Sequence, residues 1–272
     1  MLKFIHLTDP HLVGRNEALY GTDPAWRLRA CVADILATQG DAAFCLITGD
    51  LTHRGGSDAF ALLRETLQPL PMPVHLAVGN HDDRDDLHAA FPDSFRDADG
   101  FVQGRVDTPE GVFLILDTTE PGCSHGVFCD RRADWLARML AESVARPVYL
   151  CLHHPPFPVG IPGMDRLTLR ESTPFLRAIA PHRAQIRHMF FGHVHRPISG
   201  SWRGLPFSTL HGTNHQVALT LGGYLSPAQA VAENAPVWGS HEAPHYGVVL
   251  IEDDLVLVHQ RPFMAGPERF HL

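Results

Sequence analysis

Apolar residues along this chain come in short runs, and the runs repeatedly break off at Asp, Asn or His. Alternating or near-continuous apolar stretches predict strands at residues 3–8, 42–48, 74–78, 112–117, 148–152 and 188–191, with further runs at 206–210, 247–251 and 255–259. Helix-period spacing or good helix formers mark 25–37, 58–67, 130–141 and 174–179. Ser57 is placed to cap the second of these helices, and Asp58 suits its positive end. Alternation of the two element types predicts a layered α/β fold with sheets covered by helices. The runs Phe44-Cys45-Leu46-Ile47 and Val148-Tyr149-Leu150-Cys151-Leu152 suit strands buried on both faces. In such folds the loops at the carboxyl ends of strands converge on a crevice.

The pattern shows no internal repeat and no low-complexity linker, so residues 1–272 are expected to form one domain. The stretch 212–244 stands apart, rich in Gly, Ala, Asn and His with an apolar piece at 219–225. It reads equally as a lid or dimer-forming insertion and as irregular surface. With 44% hydrophobic residues among 272, the chain can bury a full core. A formal charge of −8 argues against a nucleic-acid polymer as partner, since such binders carry a basic face. Phosphorylated small molecules stay open, because bound cations supply positive charge locally. Cys31, Cys45, Cys123, Cys129 and Cys151 show no CxxC pair or disulfide-framework spacing. No leader-like or membrane-spanning apolar segment is evident, and a cytoplasmic protein is expected.

Five polar phrases close the apolar runs: Asp9-Pro10-His11, Gly49-Asp50, Gly79-Asn80-His81-Asp82, His153-His154 and Gly192-His193-Val194-His195. Asp-x-His or Gly-Asp alone is common, and an isolated Gly-Asp reads as a turn. Together they offer enough oxygen and nitrogen donors for two adjacent divalent ions, which can clamp a phosphoryl group and activate water between them. Asp9 and His11 emerge on one side of an extended backbone, as do His193 and His195. Asn80 offers a neutral amide oxygen, and His81 stands beside the site with Asp82 placed to accept from it. His153 and His154 point to opposite faces if extended, so one at most is expected to be a ligand, and periodicity leaves open which.

This ordered set resembles the signature of the calcineurin-like metallophosphoesterases. Leu19-Tyr20-Gly21, Asp117-Thr118 through Gly126 with Trp135-Leu136, the string His153-His154-Pro155-Pro156 and Gly212-Thr213-Asn214-His215-Gln216 look like the class III cyclic-nucleotide phosphodiesterases and, within them, bacterial glycerophosphodiesterases. The likeness covers roughly residues 1–216. It implies an α/β/β/α sandwich of two mixed sheets flanked by helices. It also implies one ion held by Asp9, His11, Asp50 and His195, and a second by Asp50, Asn80, His153 and His193, with Asp50 shared. His81 becomes the catalytic residue beside the ions, with Asn80 also contacting the phosphoryl group, and His215 faces substrate. Two divalent ions are implied, Mn²⁺ or Fe²⁺ ahead of Co²⁺ or Zn²⁺. Purple acid phosphatases carry a tyrosinate ligand three residues past the Gly-Asp aspartate, where this chain has His53. Protein serine/threonine phosphatases read Asp-Arg-Gly there, against His53-Arg54-Gly55.

The expected activity is therefore hydrolysis of small phosphodiesters, glycerophosphodiesters or cyclic nucleotides, by in-line attack of metal-activated hydroxide. A phosphomonoesterase or nuclease on the same site is the alternative, and a non-catalytic scaffold is disfavoured because no ligand is missing. A homo-oligomer with no membrane partner is expected.

Overall fold

A computed structural model describes residues 1–222 and 225–264; Gly223 and Tyr224, within the 212–244 excursion, and residues 265–272 lie outside the described set. The chain opens as β1 (Leu2–Leu7), α1 (Pro24–Thr38), β2 (Cys45–Thr48), α2 (Ser57–Leu67), β3 (Val74–Ala77) and α3 (Arg84–Ala90). It continues through β4 (Gly104–Thr108), β5 (Gly111–Leu116), α4 (Asp130–Glu142), β6 (Val148–Leu152), α5 (Pro162–Asp165), α6 (Thr173–Ile179) and β7 (Ile186–Phe191). A 3₁₀ turn at Ala180–Gln185 joins the last two. It closes with β8 (Ser199–Trp202), β9 (Leu205–Ser208), β10 (Gln216–Val217), α7 (Pro227–Ala232), β11 (Gly239–Ser240), β12 (His245–Glu252) and β13 (Leu255–Pro262).

Two mixed sheets result, in the orders β13-β12-β1-β2-β3 and β4-β5-β6-β7-β9-β8, and β10 pairs with β11 as a small ribbon. Within the first sheet β1, β2 and β3 run parallel, and within the second β5, β6 and β7 do. The sheets pack face to face through Phe4, Phe44, Phe113, Tyr149 and Phe190, all buried. Phe4 stacks on Phe44 at 4.7 Å and meets Phe113 and Phe190 edge-on, which locks the two layers together. On the outer face of the first sheet, Leu28, Val32 and Ile35 of α1 and Phe60 and Leu63 of α2 complete a core. Leu136 and Leu140 of α4 with Phe175 and Ile179 of α6 do the same for the second. The four layers are the expected α/β/β/α sandwich. Both central strands read as continuous apolar runs, β2 and β6, are buried along their whole length.

Local readings differ in several places, and the sequence pattern predicts none of the short elements α5, α7, β10 and β11. Ser57 is the first helical residue of α2 rather than its cap: Gly56 holds the cap position at φ 92°, and no side chain bonds the helix start. Asp58 does lie in the first turn. The edge strands β4 and β8 carry Arg105, Asp107, Ser199 and Ser201, so no apolar alternation announced them. Helix α3 is only seven residues and is started by Asp83, whose carboxylate accepts the backbone N–H groups of Asp85 and Asp86.

Candidate metal centre

Each polar phrase lies just past a strand: Asp9 and His11 after β1, Asp50 after β2, Asn80 and His81 after β3, His153 after β6, His193 and His195 after β7. The parallel strands of both sheets thus deliver their carboxyl ends to one rim, where residues 184 apart meet: the His193 N–H donates to the Asp9 carboxylate.

Donor atoms of Asp9, His11, Asp50 and His195, all buried, lie within 4.8 Å of one another. In this first group the Nε2 atoms of His11 and His195 face each other at 3.1 Å, and Asp9 Oδ1 is 3.4 Å from His195 Nε2. In a second group His153 Nε2 faces His193 Nδ1 at 3.2 Å. Asp50 Oδ2 stands 3.4 Å from His11 Nε2 and 3.4 Å from His153 Nε2, so one carboxylate oxygen touches both groups. The amide oxygen of Asn80 is buried with no hydrogen-bond partner, as expected of a donor aimed at a cation rather than at protein.

Neighbours set the direction of each ring. His153 Nδ1–H donates to the Thr48 carbonyl at 2.8 Å and His195 Nδ1–H to the His215 carbonyl at 2.8 Å, which aims both Nε2 atoms inward. The Thr8 hydroxyl donates to Asp9 Oδ2 at 2.7 Å, and the His81 N–H to Asp50 Oδ1 at 3.0 Å. Burial alone raises the pKa of Asp50, but the imidazoles of His153 and His11 outweigh it and hold the group well below the usual carboxylate range. Burial dominates at Asp9 and raises it. For His153 burial is overcome by Asp50, and its pKa rises to about 9; at His11 and His193 burial wins and keeps the rings neutral. A divalent cation among these groups favours the ionised carboxylates and neutral imidazoles alike.

The backbone is bent hard to achieve this. Asp9, His11, Asp50, His193 and His195 have φ of 53°, 47°, 48°, 70° and 47°, a region that non-glycine residues rarely adopt. Gly79 supplies the close approach: a Cβ there would lie 2.1 Å from Asp50 Oδ1 and 2.3 Å from its backbone nitrogen.

Three readings change. Asp82 does not accept from His81; its carboxylate takes the N–H groups of Gly79, Leu51 and Thr52 and the Thr52 hydroxyl, tying the second and third phrases together. Burial, then Asp50, pushes its pKa up to about 7, against the pull of those donors. His81 Nδ1–H donates instead to the His53 carbonyl at 2.7 Å. Both His153 and His154 reach the centre, because β6 ends at Leu152 and the chain bends there rather than staying extended. Nitrogens of His153, His154 and His193 lie within 4.8 Å of one another, while His154 Nδ1 also meets the Thr118 hydroxyl at 2.8 Å. His215 does reach the site, its ring 4.4 Å from that of His195 and 4.9 Å from that of His11. His53, read from sequence only as neither the tyrosine nor the aspartate of two related groups, lies against both His11 and His81. Its place three residues past Asp50 was the available signal.

The model of the calcineurin-like phosphoesterase family matches residues 2–197. The chain is a calcineurin-like phosphoesterase. This phosphoesterase is 42% identical over 274 residues to a probable cyclic nucleotide phosphodiesterase of Rhodopseudomonas palustris, covering 100% of this chain and 96% of the relative. It is 30% identical to the 3',5'-cyclic adenosine monophosphate phosphodiesterase of Pseudomonas aeruginosa, over 71% of this chain and 69% of the relative. A probable glycerophosphodiester phosphodiesterase of Arcobacter nitrofigilis is 28% identical, over 80% of each. These names agree with the resemblance to the class III branch. A dimetal phosphatase from Danio rerio shares the fold, with a TM-score of 0.69 at 15% identity and 97% and 96% of the two chains covered. The family implies a binuclear centre, and the donor set of this phosphoesterase fits one: carboxylate, amide and imidazole groups with no thiolate, and a buried amide oxygen without a partner.

Proposed function

We propose that this calcineurin-like phosphoesterase hydrolyses small phosphodiesters, cyclic nucleotides or glycerophosphodiesters, at a centre of two divalent cations. The observation that carries the reading is Asp50 Oδ2, equidistant at 3.4 Å from a histidine of each group. Asp9, His11, Asp50 and His195 would hold one ion, and Asp50, Asn80, His153 and His193 the other. When bound, the ions supply positive charge to the phosphoryl oxygens and acidify a water for in-line attack. Mn²⁺ or Fe²⁺ is favoured, with Co²⁺ and Zn²⁺ suited to the same donors.

The chain's own groups do the remaining work. His81, fixed through Nδ1 by the His53 carbonyl, keeps Nε2 for a phosphoryl or leaving-group oxygen. The ester oxygen of a diester leaves as a poor alkoxide, so a proton delivered to it from Nε2 by the imidazolium form of His81, which carries a proton on each nitrogen, is worth ~10²–10⁴ in rate. Asn80 contacts the phosphoryl group, and His215 faces substrate. Two cavities border the centre: one of about 400 Å³ walled by Tyr20, His215, Val237 and His241, the other of about 470 Å³ walled by Asn80, His81, Arg54 and Arg84. A phosphorus with two ester substituents has use for both, which supports a diester over the monoester alternative. The acidic net charge of −8 weighs against a nuclease.

The protein is read as one domain, with the 212–244 excursion as a lid or dimer-forming element. Leu219, Leu221 and Trp238 there are exposed, which supports a homo-oligomer; a monomer mass by light scattering rejects it. Among the described residues no helix is long and apolar enough to cross a membrane. Five free cysteines, three of them buried, support a cytoplasmic location, and fractionation checks it.

The test is one metal-loaded preparation assayed against bis(p-nitrophenyl) phosphate, p-nitrophenyl phosphate, cyclic AMP and glycerophosphoethanolamine, beside metal analysis. Turnover of diesters with two ions per chain supports the reading. Turnover of the monoester alone, or a single ion, overturns it.

A further inference from the structure

The side chain of His53 is used by no step above, yet it contacts two of the residues on which the reaction depends. Its Nδ1 lies 3.2 Å from His11 Nδ1. Its own backbone carbonyl takes the Nδ1–H of His81 at 2.7 Å. Its ring lies nearly parallel to that of His81, 17° between planes and 4.8 Å between centroids. Nothing about this arrangement is loose. The His53 N–H donates to the Leu12 carbonyl at 2.9 Å, and Leu12 and Thr52 form a parallel bridge, so the segment is stitched to the phrase that bears His11.

The proton between the two Nδ1 atoms can be assigned. His11 Nε2 faces His195 Nε2 at 3.1 Å and Asp50 Oδ2 at 3.4 Å, the metal-facing side, so its lone pair belongs there and its proton on Nδ1. His53 Nδ1 must then be the acceptor. Every other inward-facing imidazole with an assigned outer bond, His153 and His195, donates to a backbone carbonyl; His11 donates to a side chain.

We propose that His53 is a positioning residue for the binuclear centre: its Nδ1 holds His11 in the tautomer that presents Nε2 to the first ion, while its carbonyl and ring face hold His81. This rests on the metallophosphoesterase reading. A residue with no acceptor at the δ position would leave the His11 N–H buried and unpaired and the ring free to turn. Outer partners of this kind are worth about 10–100-fold in metal affinity.

Two substitutions separate the functions of the side chain. His53→Asn keeps an acceptor at the δ position and removes the ring; His53→Phe keeps a ring and removes the acceptor. Zn²⁺ affinity is measured by competition with a chromophoric chelator, with melting temperatures as the folding check. The His53→Phe protein is expected to bind the first Zn²⁺ about 10–100-fold more weakly, and His53→Asn to stay within about threefold of wild type. In the Zn²⁺-loaded wild type, the His11 Nδ1 proton is expected as an exchange-protected resonance in ¹H–¹⁵N spectra, kept in His53→Asn and lost in His53→Phe. Wild-type affinity in His53→Phe overturns the proposal, and so does an equal loss in both variants. If His53→Phe does not fold, the wild-type spectrum decides: a rapidly exchanging or absent His11 Nδ1 proton overturns it. Activity does not enter these measurements, so a metal-binding protein inert toward diesters would count against the substrate reading alone.

Discussion

Asp82 accepts both the backbone N–H of Thr52, at 2.8 Å, and that residue's hydroxyl, at 3.0 Å. With the N–H groups of Leu51 and Gly79 it collects four donors from the loops that carry Asp50 and Asn80. Asp82→Asn keeps the volume but turns an amide donor toward buried N–H groups. The expected loss is about 2–3 kcal/mol in urea unfolding, with weaker metal binding because the two loops separate. Unchanged stability would show that the clamp is dispensable.

Gly79→Ala tests the close approach on the other side of the same loops. Its Cβ would stand 2.1 Å from Asp50 Oδ1, so either the shared carboxylate or the β3 loop must shift. We expect destabilisation of about 3 kcal/mol and metal content well below two ions per chain. Elemental analysis beside a thermal melt checks both.

Acid stability should bear the mark of two histidines buried between the sheets. His188 is lowered to about 4 by burial, and His6 to about 3 by burial and then by His188. Each stays neutral in the folded protein while the unfolded chain takes up a proton near pH 6.5. The unfolded state therefore binds more protons in the window from pH 6.5 down to about 4, and stability falls as pH falls through it. For His188 alone the loss at the bottom of that window is about 3 kcal/mol. A His188→Phe protein should show a shallower decline between those pH values; an identical slope would discount the histidine.

Chelation should destabilise the fold. At free Mn²⁺ of 100 times its dissociation constant, each ion adds about 2.7 kcal/mol to the folded state. Removing one ion is then worth a fall of about 5 °C in melting temperature for a chain of this size, restored by adding Mn²⁺ back. A melt insensitive to chelator contradicts a resident centre.

Much of the site was legible because its residues follow strands whose apolar runs are unmistakable. Asp9, Asp50, Asn80, His153 and His193 each close a run that is buried in the fold, so position along the chain stood in for position in space. What escaped did so where side-chain direction depends on a bend. His154 turns inward because the strand has ended, and Asp82 faces backbone N–H groups that no sequence pattern displays. Edge strands β4 and β8 escaped for another reason: facing water on one side, they carry Arg, Asp and Ser in place of apolar alternation. His53 was visible as a letter but not as an acceptor, because its value lies in where His11 points.

Five of the centre's side chains sit on left-handed backbone, a conformation that glycine or asparagine adopts more easily than aspartate or histidine. Each such position is worth of order 1 kcal/mol against folding. A gene copy that no longer binds metal would therefore gain sturdiness, relative to its own metal-free form, by drifting toward Gly or Asn at positions 9, 11, 50, 193 and 195. Set against the ion-loaded enzyme, that gain only offsets the roughly 2.7 kcal/mol lost with each cation.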